Sequence, residues 1–192
     1  MQPVTTSPLV RKYTLKEFWA LPEPKDGTKL ELIAGVLYMT PPPDSIHHFS
    51  VSRLIRLFVN HLTRSRDQGE VFVPRAALWT GTATYVEPDL FYLTLKSLKE
   101  TDWNHPTRAD LVVEVISPGS AIYDRNTKAD TYAALGVTEL WLIDPANGTV
   151  EVRNLNKTTN QYSGGTVFKR GQRVRSKVLT KFTPSVAEIF KR

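Results

Sequence analysis

Glu114 stands in the middle of an apolar run, Leu111-Val112-Val113-Glu114-Val115-Ile116. The run is apolar on both parities, the pattern of a strand buried on both faces. A carboxylate there loses hydration worth several kcal/mol unless a cation or hydrogen-bond donors replace the water. A second acid, Asp89, follows Pro88 and opens another apolar run, Leu90-Phe91-Tyr92-Leu93. The two acids lie 25 residues apart, room for a strand, a loop and a neighbouring strand. Two carboxylates converging from adjacent strands make an oxygen-rich site for a hard cation such as Mg²⁺ or Mn²⁺. A cation so held can activate water and offset charge on a phosphoryl oxygen. The competing readings are a structural ion pair for Glu114 and a turn cap for Asp89.

These acids need elements to position them. Residues 1–12 form a loose arm in this reading. Thr14 can cap a short helix over 15–20, which Pro22 and Pro24 end. Two apolar stretches around Ala34-Gly35 predict a hairpin over 29–39, broken by the prolines at 41–43. From 45 to 66 the period becomes helical: His48, Val51, Ile55, Phe58 and Leu62 share a face, with Leu54 beside them. Strands are expected at 71–73, 76–79 and 85–93, and an irregular polar stretch at 94–109. The strand over 110–116 stops at Ser117-Pro118-Gly119. A helix over 125–135 stops at Gly136, and a buried strand follows at 139–143. Asn147-Gly148 is a hairpin turn leading into 149–154. Weak strand patterns and a short helix near 185–190 complete the chain. This order predicts an α/β (α+β) fold, a central mixed β-sheet flanked by helices, with an N-terminal hairpin and a C-terminal β extension. The length, 192 residues, favours a single domain.

The absence of cysteine excludes a disulfide scaffold, a thiolate nucleophile and a Cys-ligated metal. It also fits a reducing, cytoplasmic setting. No apolar run approaches the roughly 18 residues of a membrane span. No basic segment followed by an apolar one opens the chain, so no secretory signal is expected. The net charge of +6 is unevenly spread. Residues 1–152 hold 15 Lys and Arg against 18 Asp and Glu; residues 153–192 hold 10 against one, Glu188. Arg170, Arg173, Arg175 and Lys177 are either solvated surface or contacts for a phosphate backbone. His47 and His48 open the long helix, and either could stand near a bound phosphate.

The ordered segments carry a resemblance. They are Leu30-Glu31-Leu32-Ile33-Ala34-Gly35, His47-His48, Val86-Glu87-Pro88-Asp89 and the Glu114 strand through Pro118. They continue with Asp124-Arg125-Asn126-Thr127-Lys128, Tyr132 to Val137 and Trp141-Leu142-Ile143-Asp144-Pro145. Over about residues 14–190 the chain resembles the Uma-type family, restriction-endonuclease-like proteins of the PD-(D/E)XK superfamily. The lysine that the superfamily motif places two residues after the glutamate is here Ile116. In the Uma-type pattern it comes from the following helix, at Lys128. The resemblance implies a restriction-endonuclease-like core and a metal-dependent endonuclease acting on DNA. It implies that Asp89, Glu114 and the Val115 carbonyl hold one Mg²⁺ or Mn²⁺, and that Lys128 orients the attacking water. Glu31 occupies the family's N-terminal Glu position. A homodimer and no organic cofactor follow by the same analogy. Without the resemblance, Lys128 would be a solvated partner of Asp124 four residues earlier. Two alternatives stay open: an inactive nucleic-acid-binding or protein-interaction domain on this fold, and a carboxylate metallohydrolase with another substrate.

Overall fold

The computed structural model describes residues 10–81, 83–117 and 119–191. Most of the expected N-terminal arm, and Pro118 of the expected strand stop, lie outside them. The first helix, α1 (Leu15–Trp19), is held by a reciprocal capping box between Thr14 and Glu17. Strands β1 (Lys29–Ile33) and β2 (Val36–Thr40) form the N-terminal hairpin. Its two turn residues have positive φ, 49° at Ala34 and 80° at Gly35, as a tight hairpin turn demands. Asp44 caps α2 (Ser45–Ser65), the long amphipathic helix. Its buried face is Val51, Leu54, Phe58 and Leu62. His47, not the expected His48, continues that face; His48 is exposed.

Then come β3 (Glu70–Phe72), β4 (Leu78–Thr80), β5 (Thr84–Val86) and β6 (Leu90–Leu93). The strand expected over 85–93 is therefore two strands. Pro88 has no N–H to continue a ladder, and the break at Glu87-Pro88-Asp89 lets the chain pass between two sheets. The stretch expected to be irregular contains α3 (Leu95–Glu100), capped by Thr94. After β7 (Leu111–Val115) the helical segment begins earlier than expected. It comprises α4 (Ala121–Tyr123), a π turn (Asp124–Lys128) and α5 (Ala129–Ala134). The chain ends with β8 (Glu139–Asp144), β9 (Thr149–Asn156), β10 (Gln161–Tyr162), β11 (Thr166–Phe168) and α6 (Val186–Ile189).

The main sheet has the order β10-β9-β8-β7-β6-β3, with β11 also paired to β9. Strands β7 and β8 run parallel, joined by the α4–α5 segment; the other described pairings are antiparallel. It is the expected mixed sheet. A smaller sheet, β2-β1-β5-β4, carries the hairpin. Alternation along β7 and β8 divides the core in two. Leu111, Val113, Val115, Trp141 and Ile143 meet α2 and the C-terminal segment. Val112, Ile116, Leu140 and Leu142 meet α5. Glu114 therefore faces α5. Among the described residues no helix is long and apolar enough to cross a membrane.

Candidate active site

Asp89 sits where the chain leaves the small sheet for β6, and Glu114 lies one strand over on β7. Both are buried. Asp89 Oδ2 accepts the Val115 N–H at 2.8 Å and meets His47 Nε2 at 3.1 Å. The next N–H, of Ile116, goes the other way, to the Ile143 carbonyl on β8. The two polar groups of one strand residue face the same neighbour, so the Val115 carbonyl faces the Asp89 side. Burial works against the Asp89 charge, but the His47 hydrogen bond and charge, together with Lys29 and Lys128, outweigh it and hold the carboxyl below its ordinary range. Burial lowers the His47 imidazole, but the Asp89 hydrogen bond and charge, with Glu114 beyond, outweigh it and raise the ring.

Lys128 reaches this site from the helical segment. Its ammonium lies 2.5 Å from Glu114 Oε1 and 3.4 Å from Glu31 Oε1, with the whole side chain buried. Tyr132 donates its hydroxyl to Glu114 Oε1, and Tyr123 donates to Glu31 Oε2 at 3.2 Å. Lys128 and Tyr132 are four apart, one α turn. Tyr123 and Lys128 are five apart, which in an α-helix would separate them by about 140°. The π turn, one residue wider, brings all three side chains to one face. It is braced from behind. Arg153 Nη1 donates to the Arg125 carbonyl at 2.7 Å, while the Arg125 guanidinium is clamped by Glu151 at 2.6 Å and Asp144 at 2.9 Å.

Burial opposes the Lys128 charge, but Glu114 and Glu31 overcome it and hold the ammonium well above an ordinary lysine. Burial pushes the Glu114 carboxyl up to about 8, against the pull of Lys128. Glu31 is also buried, yet Lys128 and Lys29 keep it below its usual range. Its Oε1 accepts the Glu87 N–H at 2.8 Å. Asp124, the other half of the solvated i,i+4 pair that the spacing alone suggests, is buried, with Ser120 donating to its carboxylate at 2.6 Å. Burial raises it. Lys128 turns to Glu114 and Glu31 rather than forming the i,i+4 pair with Asp124.

These groups line one pocket of about 200 Å³. Its lining holds five carboxylates (Glu31, Glu87, Asp89, Glu114 and Asp124) against three permanent cations (Lys29, Arg75 and Lys128). Among the described residues no three His, Asp or Glu side chains form a cation cage by themselves. No hydrogen bond among them reaches Asp89 Oδ1 or Glu114 Oε2. Two carboxylates, a carbonyl and remaining positions for water suit Mg²⁺.

Asp89, Glu114, Val115, Lys128, Glu31 and His47 thus converge. Arg173, Arg175 and Lys177 do not. They are exposed and line another groove, beside Val152, Asn154 and Phe168. Tyr132, Tyr123, Lys29 and Glu87 also border the site, and none of them is among the candidates from the sequence. The four-residue step from Lys128 signals Tyr132. Lys29 lies two residues from Glu31 on β1, the same-face spacing of a strand, and Glu87 adjoins Asp89 across the Pro88 break.

No curated protein matches the chain. A similar fold occurs in the "Crystal structure of a putative nuclease belonging to DUF820 from Anabaena variabilis ATCC 29413". The TM-score is 0.75 at 21% identity, covering 93% of this chain and 97% of that one. The Uma2 family model, described as "Putative restriction endonuclease", matches residues 15–187. That match spans nearly the whole chain, and the chain belongs to the Uma2 family.

Proposed function

We propose that the chain is a metal-dependent endonuclease that hydrolyses phosphodiester bonds in DNA. The observation that carries this reading is the convergence of Asp89, Glu114 and Lys128 in one pocket. Asp89, Glu114 and the Val115 carbonyl would hold one Mg²⁺ or Mn²⁺. When bound, the cation offsets phosphoryl charge and lowers the pKa of water. Lys128 stays protonated and offers its ammonium to the attacking water or the developing negative charge. Glu31 shares that ammonium and fixes its direction. Tyr132 holds the Glu114 carboxylate from behind, leaving its second oxygen to the pocket. His47 orients Asp89 and brings its imidazole, raised by that contact, toward the phosphate. Two strands of a duplex call for two such sites, so the working unit in this reading is a homodimer. Arg173, Arg175 and Lys177 would hold phosphates of the same duplex farther along.

The test is plasmid cleavage with Mg²⁺ or Mn²⁺ by wild type, Asp89→Asn and Glu114→Ala, each checked for folding by circular dichroism. Each variant should lose cleavage by on the order of 10²-fold or more. Undiminished cleavage by both sinks the site. No nicking and no cation binding by calorimetry leaves an inactive domain.

A further inference from the structure

The loop between β3 and β4 contains a turn whose sequence breaks its own rule. The Ala76 N–H donates to the Val73 carbonyl at 3.1 Å, closing Val73-Pro74-Arg75-Ala76. Proline stands at the second position and the third residue has φ +77°. That is the type II pattern, whose third position calls for glycine or asparagine. Here it is Arg75. A left-handed backbone crowds the Cβ of any such residue. An outlier of this kind points to what its side chain does.

The surrounding fold gains little from that side chain. Arg75 Nη2 donates to Glu23 Oε1 at 3.1 Å, but both side chains are more than half exposed. Such surface pairs contribute little to stability. Its Nε lies 3.8 Å from Glu87 Oε2, beyond hydrogen-bond range. That oxygen is buried and takes no hydrogen bond among the described residues. Glu87 therefore attracts the guanidinium without capturing it. What Arg75 does reach is the mouth of the pocket, which it lines with Lys29, Asp89 and Lys128. A guanidinium presents a planar fork of donors that fits two oxygens of one phosphate.

We propose that Arg75 is a phosphate-binding residue of this pocket, gripping a backbone phosphate of the DNA strand beside the one being cut. The inference rests on the nuclease reading and adds a residue that its metal site does not use. The glycine-requiring turn aims the guanidinium, and Glu87 holds it at the rim until a phosphate takes it.

The experiment measures thermal melting and the binding of a fluorescent DNA duplex in EDTA across a salt series. Arg75→Gly suits the turn, so its Tm should rise by about 2 °C. Its DNA affinity should fall roughly three- to tenfold, and the log–log salt slope should become shallower by about 0.9. Arg75→Lys keeps the charge and the backbone crowding but loses the fork. It should keep the wild-type slope and Tm with an intermediate affinity. An Arg75→Gly chain that melts no higher than wild type, or binds DNA as wild type does, overturns the inference. If Asp89→Asn abolishes cleavage while DNA affinity ignores Arg75→Gly, this inference fails alone. A wild-type chain without salt-dependent DNA affinity overturns the nuclease reading with it.

Discussion

Two glutamates on neighbouring parallel strands, Glu114 on β7 and Glu139 on β8, are equally buried and face opposite sides of the main sheet. Glu139 accepts Trp141 Nε1 at 2.5 Å, the Lys177 N–H at 2.5 Å and the Val178 N–H at 3.3 Å. Its donors are fixed parts of the fold, and both its oxygens are engaged. Glu114 instead meets a lysine and a tyrosine through one oxygen, with the other turned to a pocket. Burial in an apolar strand does not by itself separate a working carboxylate from a structural one. The identity of what fills its oxygens does. The Glu139 face staples the C-terminal segment; the Glu114 face builds a site.

The two glutamates should respond in opposite ways to the same substitution. Glu139→Gln puts an amide donor against either the two backbone N–H groups or the indole N–H. Stability should fall by about 3 kcal/mol or more, a Tm drop on the order of 10 °C. Glu114→Gln keeps an oxygen for Tyr132 and Lys128, and should lose only about 1–2 kcal/mol while losing cleavage. Denaturant melts and a nicking assay on both variants check this. Equal losses of stability, or cleavage surviving Glu114→Gln, would break the distinction.

Much of the pocket was legible because its acids interrupt apolar runs. Glu114 and Asp89 contradict their neighbours, and the order of segments pointed to Lys128 and Glu31. Other features leave no such mark. Glu139 opens its strand, where an acid is ordinary, and two of its three partners are backbone N–H groups 38 and 39 residues away. The π turn adds a residue that a search at 3.6 residues per turn does not see. Tyr132 satisfies the apolar pattern of α5 with its ring, while its hydroxyl bonds across to β7. The break between β5 and β6 was hidden because both halves are apolar, although Pro88 marks it.

A smaller effect tests whether the stapled face also touches substrate. Arg173, Arg175 and Lys177 point outward while Val174 and Ser176, between them, are buried. The segment is anchored by Glu139 and offers its cations freely, apart from a 4.0 Å approach between Arg173 and Glu188. Replacing all three with alanine should leave the Tm within a few degrees. DNA affinity should weaken, with the salt slope shallower by about one for each phosphate that the variant no longer holds. An unchanged slope would confine DNA binding to the pocket face and leave this groove as solvated surface.

The smallest effect concerns a third carboxylate, Asp144, at the end of β8 where the two faces meet. Burial would raise its carboxyl, but hydrogen bonds from Asn147 and the Arg125 guanidinium hold it below its ordinary range. A carboxyl depressed in the folded state stabilises the fold above its unfolded pKa of about 3.9, and that contribution is lost as pH falls through the folded value. Arg125 is about one-third exposed, so water screens the pair. The contribution at neutral pH should be below about 1 kcal/mol. Asp144→Asn should therefore cost that much at pH 7 and progressively less as pH falls below the unfolded value of about 3.9 and through the folded one, measured as the difference in urea midpoints. The brace makes a second readout possible. Asp144 helps to clamp the π turn through Arg125, so the variant should also lower cleavage at pH 7 by moving Lys128, with its Mg²⁺ affinity unchanged. A stability loss without any change in cleavage would show that the π turn keeps Lys128 in place without its brace.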